Sequence, residues 1–198
     1  MVISSASQEK TSGLQAGNVR PTPARVSQNM EIEVKLTYKN KAKIINWLLE
    51  NGFHLVQQKE IQDTYFSLGH NSMSNQNGLY RIRHIVGQKT ELTLKDNCQD
   101  SNGVWSRREL NVTINNPENM KNILSSLSCV LVKENFSKRD IWKNGEVSFE
   151  FISFSKPKVL ELIEVEGPSQ AAVQKIVDKL GDKVQVAGEE IFSIFDKK

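Results

Sequence analysis

Met30-Glu-Ile-Glu-Val-Lys-Leu-Thr37 is the stretch that decides how this chain folds. It alternates without a break: Met30, Ile32, Val34 and Leu36 fall on one side, Glu31, Glu33, Lys35 and Thr37 on the other. A period of two belongs to a β-strand, whose successive side chains point to opposite faces. One face suits an apolar layer. The other carries two acids and a cation at i, i+2 and i+4, all projecting the same way.

Working outward, similar runs predict strands at 54–66, 79–86, 90–96, 105–114, 129–142, 146–154 and 159–166. Helices interrupt them. Asn40 is placed to cap a helix running to Asn51, with Ile44, Ile45, Leu48 and Leu49 at helical spacing and Gly52 closing it. Asn116 and Pro117 open a second helix over 117–127, and Pro168 and Ser169 open a third ending near Leu180. A short helix is expected over 188–196. The fold class is α+β, and eight strands separated by turn signals predict an antiparallel barrel or a highly curved sheet. Upstream, residues 1–29 are rich in Ser, Gln, Gly and Ala, with Arg20-Pro-Thr-Pro-Ala24 and no hydrophobic period. They read as a disordered tail before a domain at 30–198.

Composition narrows the class. The chain has 198 residues, 38% hydrophobic, enough for one domain with a proper core. A net charge of +3 is too small for non-specific nucleic-acid binding. Cys98 and Cys129 form no Cys-x-x-Cys, and His54, His70 and His84 are scattered, so the ligand spacing of a structural zinc site is absent. No apolar run approaches the ~18 residues of a membrane span. The expectation is a cytoplasmic protein with neither membrane nor nucleic-acid partners.

The polar strand faces sort their charges. Arg81 and Arg83 share one face; so do Glu91, Thr93 and Lys95; so do Arg107, Glu109, Asn111 and Thr113; Lys138 and Arg139 follow, then Glu164 and Glu166. Each pair could belong to a solvated face with cross-strand ion pairs worth about 0.2–1 kcal/mol. Alternatively, the polar faces point into a barrel and grip a polyanion with its metal. Arg forks onto phosphate oxygens and Lys acts as a point charge. Mg²⁺ or Mn²⁺ takes carboxylate oxygens beside those phosphates. Acid pairs on two separate strands favour the second arrangement.

Taken in order, Glu31-Ile-Glu-Val-Lys35, Gln62-Asp-Thr-Tyr-Phe66, Tyr80-Arg-Ile-Arg83, Leu92-Thr-Leu-Lys95, Ser106-Arg-Arg-Glu109, Ser137-Lys-Arg-Asp-Ile-Trp142 and Ile163-Glu-Val-Glu-Gly167 resemble successive strands of the CYTH (triphosphate tunnel) family. The resemblance implies an eight-stranded antiparallel β-barrel with covering helices, holding a divalent ion (Mg²⁺ or Mn²⁺) and a triphosphate. By that resemblance Glu31, Glu33, Glu164 and Glu166 are metal-side acids. Lys35, Arg81, Arg83, Lys95, Arg107 and Arg139 are phosphate-side cations, and Glu109 is an acid of the wall. Glu31, Glu33 and Lys35 are the catalytic candidates, Lys35 as a group that assists deprotonation.

Two places depart from the family pattern. The seventh strand has no Asp at the expected metal position; one register offers Glu150 and another Phe154, and alternation against Phe149 and Phe151 favours Glu150. The sixth strand often reads Lys-x-Arg, whereas Ser137 precedes Arg139 here, so Lys138 either compensates as a phosphate-side cation or turns its charge to solvent. Trp105, Trp142 and Phe66 read as packing residues, and Trp47 as part of a helix covering the barrel. The strands most resemble class IV adenylate cyclases, converting ATP to cyclic AMP and pyrophosphate. The same tunnel suits a triphosphatase acting on inorganic, thiamine or nucleoside triphosphate, or a non-catalytic polyphosphate binder. The expected partner is thus a small-molecule triphosphate. The assembly state is open, with a homodimer among the options.

Overall fold

A computed structural model describes residues 29–68, 78–101 and 103–188. The chain runs β1 (Asn29–Tyr38), α1 (Lys41–Glu50), β2 (His54–Leu68), β3 (Leu79–Ile85), β4 (Thr90–Ser101) and β5 (Val104–Thr113). It continues through α2 (Pro117–Ser126), β6 (Cys129–Asn144), β7 (Val147–Lys156), β8 (Leu160–Glu166), α3 (Gln170–Leu180) and β9 (Val184–Val186). Neighbouring strands follow the order β5-β4-β3-β2-β6-β7-β8-β1, and β1 also pairs with β5, which closes eight antiparallel strands into a barrel.

The helices begin where side chains satisfy otherwise unpaired backbone donors. Asn40 Oδ1 accepts from the Lys43 N–H at 3.1 Å, Asn116 Oδ1 from Asn119 at 2.9 Å, and Ser169 Oγ from Ala172 at 3.2 Å. Gly52 follows α1 at φ +77°, a left-handed conformation that suits glycine.

This barrel is apolar on its outer wall. Val34, Leu36, Phe149, Phe151, Ile163 and Val165 point outward and pack against Ile44 and Leu48 of α1 and Val173 and Leu180 of α3. Trp142 joins that layer, with Trp47 packed against it. Phe66 and Ile82 meet Leu124 of α2 elsewhere on the wall. The hydrophobic stabilisation therefore lies between sheet and helices, which frees the interior for charge.

Sequence pattern missed β9, which adds three residues to β1 alongside Leu36–Tyr38. A segment that short shows no period. The expected tail at 1–29 and the expected short helix lie outside the described residues, apart from Asn29 in β1 and Gly188. Among the described residues no helix is long and apolar enough to cross a membrane.

Candidate active site

Because β1 alternates, covering Val34 and Leu36 from outside forces Glu31, Glu33 and Lys35 inward. Glu33 is 2% exposed. Lys35 Nζ donates to Glu33 Oε1 at 2.6 Å and to Glu164 Oε2 at 2.7 Å, tying β1 to β8. Glu31 Oε2 accepts from Arg107 Nε at 2.9 Å and from Lys95 Nζ at 3.1 Å. Arg107 also donates to Glu33, and Lys95 pairs with Glu109.

On the opposite wall, Arg81 Nη2 donates to Thr93 Oγ1 at 3.2 Å. Arg139 Nη1 donates to Glu150 Oε2 at 2.8 Å and lies 3.6 Å from Glu164 Oε1. Arg83 is held by Asp63. Glu31, Glu33, Lys35, Arg81, Arg83, Lys95, Arg107, Arg139 and Glu164 line one cavity of about 780 Å³ including its open mouth.

The electrostatics follow from this crowding. Burial alone would raise the Glu33 pKa, but Arg107, Lys35 and Lys95 outweigh it and hold the carboxyl well below its ordinary range. Burial would likewise lower Lys35, yet Glu164 and Glu33 raise it. These two acids thus favour the cationic form of Lys35. Lys95 is depressed by burial and then by Arg81 and Arg107. Glu166, at the end of β8, is pushed up to about 7 by burial and by repulsion from Glu31, Glu164, Glu33 and Glu150. Glu166 is itself exposed and does not line the cavity, so what links it to the site is the repulsion from these neighbouring acids, which a divalent cation would relieve. Among the described residues no three acids, His or Cys already converge as a metal cluster. Most of these acids are engaged by cations instead.

One expected site residue faces the wrong way. Lys138 lies opposite Glu60 in the β2–β6 register, its side chain is 76% exposed, and Nζ sits 2.7 Å from Glu60 Oε1 on the outer surface. Consecutive residues of a strand cannot both point inward, and Arg139 takes that side. The interior cation of β6 nearer its start is Lys133, which lines the cavity with Asn135. Lys133, Asn135, Ser137 and Arg139 form an i, i+2 series of buried polar residues that could have been read from sequence, as could buried Asp63. On β7, Glu150 meets Arg139 while Phe154 lines the cavity, so both proposed registers face inward.

Residues 29–193 match the CYTH domain. The chain belongs to the CYTH family. No curated protein matches it at a significant level. Solved structures similar to this CYTH chain include HpAC1 of Hippeastrum, a candidate adenylyl cyclase described as having a dominant triphosphatase activity. The two share 18% identity and a TM-score of 0.63, over 83% of this chain and 94% of that one. The PH1012 protein of Pyrococcus horikoshii matches with a TM-score of 0.61 and 22% identity, over 78% and 94% of the two chains. A candidate adenylate cyclase of Vibrio parahaemolyticus matches at 0.61 and 12% identity, over 84% and 99%. At these identities the likeness is one of fold.

Proposed function

We propose that the chain is a divalent-metal-dependent enzyme that holds the triphosphate chain of its substrate inside the tunnel and cleaves one phosphoanhydride bond. The observation that carries this reading is the interleaving of carboxylates and cations, above all Lys35 bridging Glu33 and Glu164. Without ligand these charges are balanced largely by one another. A triphosphate with its ion offers new partners: phosphate oxygens for Lys35, Arg81, Arg83, Lys95, Arg107 and Arg139, and Mg²⁺ or Mn²⁺ for Glu31, Glu33, Glu150, Glu164 and Glu166. A bound divalent ion supplies charge neutralisation at the phosphate oxygens and the leaving group. The side chains hold the phosphates in line and stabilise developing charge inside a wall that excludes bulk water.

Two reactions use this grip. In the class IV adenylate cyclase reading, the 3′-hydroxyl of ATP attacks the α-phosphorus and pyrophosphate leaves; the strand motifs of β2, β5 and β6 support it. In the triphosphatase reading, water attacks the terminal phosphorus, and the fold likeness to HpAC1 supports it. Purified protein with Mg²⁺ or Mn²⁺, given ATP and inorganic triphosphate separately, tests both. Cyclic AMP with pyrophosphate identifies the cyclase, and orthophosphate the triphosphatase. Tight binding without turnover removes the enzymatic proposal.

A further inference from the structure

Helices cover an apolar outer wall on β1, β7 and β8. Beneath the start of α3 that wall changes character. The row crossing β4, β5 and β1 there reads Gln99, Ser106 and Ile32, each paired with the next in the strand register. With Ser101, Val104 and Gln170 they line a groove of about 420 Å³ including its open mouth. Gln170 Nε2 donates to the Ser101 carbonyl at 3.3 Å, joining α3 to the β4–β5 hairpin. The groove runs on past Gln174 to Val186 of β9. There Gly103 comes so close that a Cβ would lie 2.6 Å from Val186 Cγ1, so the hairpin tip is seated against β9.

None of the described residues lining either part is charged, in a chain that is 25% charged. A phosphate placed here would surrender hydration with no cation to receive it. The glutamine amides and serine hydroxyls both donate and accept hydrogen bonds, beside the aliphatic surface of Ile32, Val104 and Val186. A ring that alternates C–H faces with hydroxyl groups meets both kinds of surface. The groove also has a privileged position. Ile32 lies between Glu31 and Glu33, and Ser106 precedes Arg107, which donates to both acids. Alternation sets Ile32 and Ser106 outside and the charged trio inside the same two strands. A body seated in the groove therefore bears on the back of the tunnel wall.

We propose that this groove is an effector site for an uncharged, polyhydroxylated ring, and that its occupancy is transmitted through Ile32 and Ser106 to Arg107 in the tunnel. Free sugars and nucleosides share that chemistry, and glucose and adenosine represent the two sources. The link to Arg107, though not the binding, rests on the tunnel reading above.

Amide chemical shifts of the full chain, titrated separately with glucose and with adenosine to about 10 mM, read the site without any turnover. At least one compound should move the backbone amides of Ser101, Ser106 and Ala171 along a saturating isotherm, and the tighter binder names the source. The Arg107 Nε–H signal should move on the same isotherm. Ser106→Val and Gln170→Met should each weaken that binding about fivefold. Amides unmoved by both compounds overturn the site. Shifts confined to tunnel residues such as Arg81 and Lys95, or undiminished affinity in both folded variants, do the same. Saturation at the groove with a stationary Arg107 Nε–H overturns the link to the tunnel. The tunnel reading itself stands or falls separately, on turnover of a triphosphate.

Discussion

Asp63 and Arg83 face each other across β2 and β3 and join through two hydrogen bonds, Arg83 Nε to Asp63 Oδ1 at 2.7 Å and Nη2 to Oδ2 at 2.8 Å. Asp63 is 1% exposed, so the fork holds a guanidinium at a fixed angle in the tunnel wall. Removing the carboxylate strands a buried cation. Asp63→Ala should therefore lose about 3 kcal/mol of stability, seen as a lower denaturant midpoint. A midpoint equal to wild type would show that Arg83 does not depend on this partner.

The same pair sets an acid limit. Burial would raise the Asp63 pKa, but the charge and hydrogen bonds of Arg83, then Arg81 and Arg139, hold it far below the ordinary 3.8. A carboxyl depressed on folding binds fewer protons in the folded state than in the unfolded one. Its contribution is complete above 3.8 and is lost as the pH falls below that value and on through the depressed one. Asp63→Asn should show a shallower loss of stability below pH 4 than wild type. Parallel acid-denaturation curves would contradict it.

Glu31 and Glu33 share Arg107 as a partner. Glu31→Gln with Glu33→Gln keeps the side-chain shapes while removing both charges. Metal-dependent turnover should fall about 100-fold or more, with the far-ultraviolet circular dichroism unchanged. Normal activity in the folded double variant would remove the metal assignment from β1.

Lys133 and Lys138 separate inside from outside on one strand. Lys133→Met should raise KM for the triphosphate about tenfold. Lys138→Met should leave KM alone and change stability by less than about 0.5 kcal/mol, since its ion pair with Glu60 is exposed. Equal effects of the two would contradict the orientation of β6.

Mg²⁺ or Mn²⁺ at about 100 times its dissociation constant should stabilise the fold by about 2.7 kcal/mol, measured as a rise in Tm. Glu164→Gln and Glu166→Gln should each reduce that rise. A metal-induced shift of full size in both would place the ion elsewhere.

How much of this was legible in the sequence depended on the local pattern. β1 was readable because its alternation is unbroken and each face is chemically uniform. Lys133 was missed because Val130, Leu131 and Val132 precede it as a continuous apolar run. A register shift between Tyr65 and Phe66 also breaks the β2–β6 pairing there. Alternation does not choose between Glu150 and Phe154, since positions four apart share a face. Lys138 and Arg139 are adjacent, and their charges alone do not say which faces in. The Asp63–Arg83 fork depends on a cross-strand register that a single sequence does not print.

β1 is hydrogen-bonded on both flanks, to β5 on one and to β8 and β9 on the other. An open sheet of this length would expose two unpaired rims able to recruit strands from other copies. Here the terminal strand is β9, only three residues long. The seam that shapes the tunnel thus also shields the chain from edge-to-edge self-association.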